Sequence, residues 1–425
     1  MKLPWYCVAP LLILILLSLP AAVAENGASA QTNLTPGEER NKLWFNHNGK
    51  RVFLLGTNYP WYNGYRSLDF GRLSGTRTIS SVGTIGQREL QQPPVAIGPG
   101  ETGFDAVGIN DQLADMASMN IRVVRWFFGG DGRSFMNFDA AGNCTGINAD
   151  TLKNVDTAIA LAKKHHVFLA PCLLDFRFVA GDKFVRYADG KPAPFYAHVI
   201  RDPVKRQLLI EKFIKPLAKR YAKSDAILYW EIMNECGNVV NGSDPKTGFV
   251  MNGGMGTGPN KRVTPVQMQD FLNEAYDAIK SVDGRHPVMP SGLARPHQLP
   301  LIIGRVKADL YGAHYNDNGS DFRSIQTIDQ LNNQFQQYKI AIDKPLIMTE
   351  GSATLDTHMA QYVQAAYDGG WAGALPWQYY KTVGLNDFIR YDRHVTSKNG
   401  NPRSKRNIEF YKRFAKTHAE DVLLK

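Results

Sequence analysis

Two glutamates stand where apolar segments end abruptly. Ala226-Ile227-Leu228-Tyr229-Trp230-Glu231-Ile232-Met233-Asn234-Glu235 reads as a buried β-strand tipped by an amide and a carboxylate. Pro345-Leu346-Ile347-Met348-Thr349-Glu350-Gly351 has the same form, with Glu350 at its tip. Polar groups withdrawn from water need partners, so packing alone gives little reason for them there. Two strand-end carboxylates brought to one rim suit acid/base chemistry. One stays protonated near neutral pH and donates; the other stays ionised and attacks or activates water.

Strands that deliver their C-terminal ends to a common rim belong to a parallel barrel. The chain supplies them: apolar strands at 52–58, 121–126, 167–174, 226–235, 287–291, 309–315, 345–351 and 372–377. Helical periodicity falls between and after them, at 110–119, 149–165, 203–221, 264–282, 328–342, 358–367 and 404–418. Asp202 followed by Pro203, and Thr264 followed by Pro265, mark helix starts, with a capping side chain and a proline at the first position. This alternation predicts an α/β fold, a (β/α)8 TIM barrel. An open doubly wound sheet usually has fewer strands and a Gly-rich turn after the first, which Gly56-Thr57-Asn58-Tyr59-Pro60 does not match. The run Gly253-Gly254-Met255-Gly256-Thr257-Gly258 is not set between strand and helix as a phosphate loop must be, and reads as a flexible loop after strand four. Residues 64–103, long, polar and glycine-rich, read as a loop over the active face.

Of 425 residues, 44% are hydrophobic and 21% charged, an ordinary globular composition with material for a large core. Net charge is +10, but the basic residues are scattered, which points away from a nucleic-acid partner. Met1-Lys2, the apolar run from Val8 to Leu19 and Ala22-Val23-Ala24 have the form of a cleaved secretion signal. The expected organisation is a signal at 1–24, a leader or linker at 25–42, and one (β/α)8 catalytic domain at 43–425. The mature protein is then secreted or periplasmic, with no stable membrane insertion after signal removal, because no later segment is long and apolar enough to span a bilayer. Cys144, Cys172 and Cys236 remain after the signal. Cys172 and Cys236 fall near the ends of consecutive strands, so a disulfide and buried free thiols are both open.

The barrel rim collects Asn58, Arg125, Asp175, Asn234, Glu235, His314, Tyr315, Glu350 and Trp377. Each has a structural explanation taken singly: a salt bridge for Arg125, a satisfied core position for His314, packing for Trp377. Together they form a polar set that the helices lack. Arg125 beside one glutamate would hold it ionised, while a carboxyl in a drier setting stays protonated. Cleavage of a glycosidic bond needs such a pair. Asn234 is placed to hydrogen-bond a sugar 2-hydroxyl, and Trp61, Trp126 and Trp377 offer faces for sugar rings.

Trp230-Glu231-Ile232-Met233-Asn234-Glu235 resembles the strand-four signature of clan A glycoside hydrolases, most closely family 5, the cellulase and mannanase family. The resemblance runs from Asn46-His47-Asn48-Gly49-Lys50 to the Trp377 strand. It implies that Glu235 is the acid/base and Glu350 the nucleophile. It also carries over a strand-two arginine to Arg125, a strand-eight tryptophan to Trp377, and a strand-six histidine and tyrosine to His314 and Tyr315. The family often has a residue between the last two, so Tyr311 rivals Tyr315. One departure stands out: the family commonly ends strand three in histidine, whereas this chain has Leu173-Leu174-Asp175. Asp175 either replaces that histidine or binds substrate.

The implied reaction is retaining hydrolysis of a β-linked glycan, of β-mannan or β-glucan type, by double displacement, with carboxyl groups about 5–5.5 Å apart. Opening residues Gly56 to Trp61 are more like mannanase members than short endocellulases. The partner is a carbohydrate substrate, and the mechanism calls for no metal or organic cofactor. The alternatives are a transglycosylase on the same glutamates and a non-catalytic glycan-binding barrel, which both glutamates argue against. No G-x-S-x-G elbow supports an esterase.

Overall fold

The computed structural model describes residues 43–59, 70, 77–79, 82–85, 88–91, 95–97, 104–132, 135–181, 185–187, 195–254, 261–316, 325–352, 356–377, 379 and 405–423. The expected signal, the leader and Trp61 lie outside them. Eight parallel strands close a barrel in chain order: β1 Leu54–Asn58, β2 Val123–Phe127, β3 Phe168–Asp175, β4 Trp230–Asn234, β5 Val288–Leu293, β6 Tyr311–Asn316, β7 Leu346–Ser352 and β8 Gly373–Ala374. The barrel predicted from the alternation of strands and helices is therefore the fold. Closure comes from β8 against β1, through Gly373 opposite Leu54 and Ala374 opposite Leu55. Every residue of β1, β2, β4 and β5 is buried. That is why these strands read as continuous apolar runs rather than alternating ones: helices cover one face and the barrel interior the other.

The outer layer contains α1 Ala106–Ser118, α2 Ala149–Lys164, α3 Pro203–Leu209 with its continuation, α4 Pro265–Lys280, α5 Ile328–Phe335, α6 Asp356–Asp368 and α7 Lys405–Thr417. Their starts are chemical. Asp202 accepts hydrogen bonds from Val204 N and Lys205 N, and Thr264 and Gln267 form a reciprocal capping box at α4. Helix α3 passes through one π-turn, Ile210–Ile214, before resuming at Lys215–Tyr221. Pro216 explains it. Proline has no N–H for the Lys212 carbonyl and its ring would press on that group, so the turn widens and Lys215 N bonds Ile210 O instead.

At the N-terminal end of the barrel, the hairpin Phe45–His47/Lys50–Val52 precedes β1, and Phe53 bridges to Val422 beyond α7. The Tyr411 hydroxyl of α7 donates to Gly56 O inside the wall.

One expectation needs correction. The segment 64–103 is not simply loop. Arg77–Ile79 pairs with both Val95–Ile97 and Val185–Tyr187, and Val82–Ile85 pairs with Arg88–Gln91. Runs of three or four residues are too short to show a period-two pattern. Between strand four and the run Gly253–Gly258 the chain forms a hairpin, Asn241–Ser243 against Val250–Asn252. Of the two alternatives left open for the cysteines, the structure has the second: Cys144, Cys172 and Cys236 are all free and buried.

Gly56 sits in the most crowded part of the wall. A Cβ there would lie 2.5 Å from Leu375 Cδ2 and nearer still to the carbonyl oxygen of Val123. Backbone of the neighbouring strand cannot step aside. Gly56→Ala should cost about 3 kcal/mol of unfolding free energy, read as a lower denaturation midpoint at constant slope; an unchanged midpoint would contradict the close β1–β2 approach.

Candidate active site

Arg125 stands in the middle of β2, wholly buried, and all five of its N–H groups are used. Nε and Nη2 form a fork on Glu231, at 2.6 Å to Oε2 and 2.8 Å to Oε1. Nη1 donates to Glu350 Oε1 at 2.7 Å and to Asn58 Oδ1 at 3.0 Å. The second Nη2 hydrogen goes to Asn234 Oδ1 at 2.6 Å. Planar donors in a fixed fork match carboxylates in a way that a lysine cannot. The two carboxylates hold the guanidinium charged, well above its ordinary range despite burial.

Register delivers most of these contacts. Asn58 lies opposite Arg125, Asp175 opposite Asn234, and His314 opposite Glu350. The last pairing depends on an irregularity. Ala313 pairs with Met348 but His314 pairs with Glu350, so Thr349 is an extra residue on β7. A one-residue change of register reverses the facing of every later side chain. The Thr349 carbonyl accepts from Asn58 Nδ2 at 2.8 Å. Glu235, just past β4, takes a left-handed backbone, φ 48° and ψ 39°, which is uncommon for a residue with a side chain. Its N–H bonds Gly292 O, and its carbonyl accepts from Asn238 N as the turn Cys236–Val239 begins.

Glu235, His314 and Glu350 converge. One oxygen of each glutamate and a ring nitrogen of His314 all lie within 4.8 Å of one another. His314 Nδ1 is 3.0 Å from Glu235 Oε1 and 3.4 Å from Glu350 Oε2. Burial pushes the histidine down to about 4, so it is neutral at pH 7. Both glutamates are pushed up, chiefly by burial, Glu235 to about 7. Two interacting carboxylates titrate as a pair. The direct Arg125 contact stabilises charge on Glu350, whereas Glu235 makes no ion pair with lysine or arginine among the described residues. The proton of the pair therefore resides on Glu235. A general acid, an ionised carboxylate and a neutral imidazole between them share one rim.

The other residues singled out in the sequence divide. Asn234 bridges Arg125 and Asp175, donating from Nδ2 to Asp175 Oδ2 at 2.7 Å. Trp377 is half-buried and packs edge-on against Phe127. Asn58 is brought to the cluster but as a brace: wholly buried, it donates to Thr349 O and Leu375 O and accepts from Arg125, which leaves no face for substrate. Tyr315 points away. Its ring packs against Tyr362 and Trp371, and its hydroxyl accepts from Gln326 N, as the alternation next to His314 requires. Its rival Tyr311 donates to Asp343, far down the strand. Trp126 is buried among Tyr59 and Phe70 and offers no face to a sugar.

Glu231 was missed, although it is fully buried and is the main partner of Arg125. The signal was present: an acid in mid-strand needs a buried cation, and Arg125 is a cation in mid-strand. Arg177 and Arg295, whose charges act on Glu235 from beyond β3 and β5, were also passed over.

No protein-family model matches the chain. Over 407 residues it is 23% identical to the mannan endo-1,4-beta-mannosidase of Mytilus edulis, covering 91% of this chain and 97% of that one. The β-1,4-mannanase of the sea hare Aplysia kurodai superposes with a TM-score of 0.59 at 18% identity, over 89% of this chain and 97% of the other. For the endo-1,4-beta-mannanase of Eisenia fetida the TM-score is 0.59 at 21% identity, over 86% and 95%.

Removing the guanidinium isolates buried charge. Arg125→Met should destabilise the fold by about 3–5 kcal/mol, and Arg125→Met with Glu231→Met should be more stable than the single variant. Denaturant unfolding of both tests this; a double variant no better than the single one would show that Glu231 does not depend on Arg125. The resemblance to clan A glycoside hydrolases, first carried by strand-end residues, thus extends to the whole barrel, which is similar over nearly all its length to β-mannanases.

Proposed function

We propose that the chain is a retaining glycoside hydrolase that cleaves β-linked mannan. One observation carries the reading: two glutamates with carboxylate oxygens within 4.8 Å of each other, one paired with a buried arginine and the other with no lysine or arginine ion pair among the described residues. That gap suits direct attack by one carboxylate; inversion needs about 6.5–9.5 Å to admit a water. The mannan assignment rests on the relatives, which are named as mannanases across sequence and fold.

Glu350 attacks the anomeric carbon while Glu235 passes its proton to the leaving oxygen, giving a glycosyl ester on Glu350. Glu235, now ionised, takes a proton from water, which attacks the same carbon and releases the sugar with its configuration kept. Arg125 holds Glu350 ionised for attack. Neutral His314 separates the two carboxylates without adding a charge that would pull the proton off Glu235. Trp377 lines the site as a sugar platform, and Trp61 is assigned the same part from the sequence alone.

The domain organisation read from the sequence belongs to the same proposal: a signal at 1–24, a leader at 25–42 and the catalytic domain at 43–425, in an exported protein. Export suits an enzyme whose substrate is a polymer outside the cell. Among the described residues no helix is long and apolar enough to cross a membrane.

The test is a panel of β-mannan, β-glucan and aryl glycosides, with the first product anomer followed by proton NMR. Mannan should be cleaved and the β-anomer should appear first; an α-anomer or a preference for glucan would overturn the reading. Because Glu235 must carry its proton, kcat/KM should fall as pH rises through about 7. Glu235→Gln should lose about 10²–10⁴-fold on mannan. On an aryl mannoside, whose leaving group needs no proton, its first step should lose far less, whereas Glu350→Gln should be inactive on both. Equal losses for the two variants on both substrates would contradict the division of roles.

A further inference from the structure

Asp175 ends β3 and is almost wholly buried. Its Oδ1 caps the short helix Phe176–Ala180, accepting from Arg177 N, and also takes Arg177 Nη1 at 3.0 Å. Its Oδ2 takes Asn234 Nδ2 at 2.7 Å. At the other end of that amide, Arg125 donates to Asn234 Oδ1. A guanidinium can only donate and an ionised carboxylate can only accept. The two neighbours therefore fix which end of Asn234 is oxygen and which is nitrogen. Among the described residues the second hydrogen on Nδ2 has no partner, and Asn234 adjoins Glu235 at the rim.

We propose that Asp175 is a positioning residue: with Arg125 it locks the Asn234 amide in one orientation, so that the remaining N–H faces a sugar hydroxyl next to the bond being cleaved. Without Asp175 the amide would rotate about its last bond, and the N–H would be presented only part of the time. The proposal rests on the glycosidase reading above. It also explains why an acid suits the end of strand three here. Histidine could grip the amide nitrogen only through an unprotonated ring nitrogen, whereas a carboxylate needs no such tautomer.

The same carboxylate has a second effect with its own readout. The groups that act on Glu235 are Asp175 at the end of β3, Arg177 just beyond it, Arg125 on β2, Arg295 beyond β5, and His314 and Glu350 on β6 and β7. After burial, Asp175 is the largest contribution raising Glu235, and the three arginines oppose it. Removing the negative charge while keeping the acceptor should lower the Glu235 value and move the basic limb of the pH profile to lower pH.

A double-mutant cycle with Asn234 tests the positioning. On the glycan that the wild-type chain cleaves, Asp175→Ala should lose on the order of 10- to 100-fold in kcat/KM. In an Asn234→Ala background the same change should lose several-fold less, because there is no amide left to orient. Asp175→Asn keeps an acceptor of the same shape. It should retain more kcat/KM at its optimum than Asp175→Ala, with the basic limb displaced downward. Circular dichroism melts of each variant identify any that fail to fold, and the isosteric Asp175→Asn keeps the test open if Asp175→Ala does. Equal losses from Asp175→Ala in both backgrounds, or an unmoved basic limb in Asp175→Asn, would overturn the proposal while leaving the glycosidase reading intact. A wild-type chain that cleaves no β-glycan would remove both.

Discussion

A buried guanidinium must have every donor satisfied, because each one left over costs as much as a lost hydrogen bond in a medium without water. Arg125 meets that demand with four residues from three other strands: Asn58 on β1, Glu231 and Asn234 on β4, and Glu350 on β7. The barrel's interior therefore cannot be rearranged locally. Moving any of these strands by one residue would strand either the arginine or a carboxylate. Glu231 is the permanent partner. It is fully buried, also accepts Gly292 N, and lies below the rim. With Glu231 balancing Arg125, the negative charge on Glu350 leaves the cluster with no surplus cation, and Glu235 is the group that keeps a proton. The division of the two rim glutamates into donor and anion is thus a property of the whole cluster rather than of either residue.

The fold concentrates its irregularities where the site needs side chains redirected. Thr349 is inserted into the β6–β7 ladder just before Glu350, and its hydroxyl and His314 Nε2 are both buried without hydrogen-bond partners among the described residues. Glu235 sits in left-handed backbone, which for a residue with a side chain costs about 1–3 kcal/mol. Both departures are held by groups that belong to the site or adjoin it: Asn58 on the Thr349 carbonyl, and Gly292 O on the Glu235 N–H. Elsewhere the wall is regular and tightly packed. Strain at the rim and regularity below it is what a rigid scaffold presenting a reactive surface requires.

Much of this was legible in the residues alone. The eight strands announced themselves as apolar runs because both faces are covered, and helix starts at Asp202 and Thr264 carried their caps in the sequence. Glu235, Glu350, Arg125 and His314 were legible because each is a polar group that interrupts or ends an apolar segment. Facing was harder to read. Asn58 and Tyr315 also lie at strand ends, but one turns wholly inward as a brace and the other outward to Trp371. Strand position names the rim, while register and bulges decide which residue looks into it. Glu231 was overlooked because its partner is 106 residues away. The short hairpins within 64–103 could not be found by periodicity, since three or four residues hold too few repeats to display one.

Everything in this account depends on Glu350 being the carboxylate that Arg125 keeps ready for bond formation. A mannosyl donor with fluorine at the 2-position and a good leaving group forms the glycosyl ester readily but hydrolyses it slowly, so the ester accumulates. Incubating the protein with such a donor, followed by proteolysis and peptide mass spectrometry, locates the modified side chain. One sugar per chain is expected, attached at Glu350. A label on Glu235, or steady turnover with no labelled peptide, would contradict it.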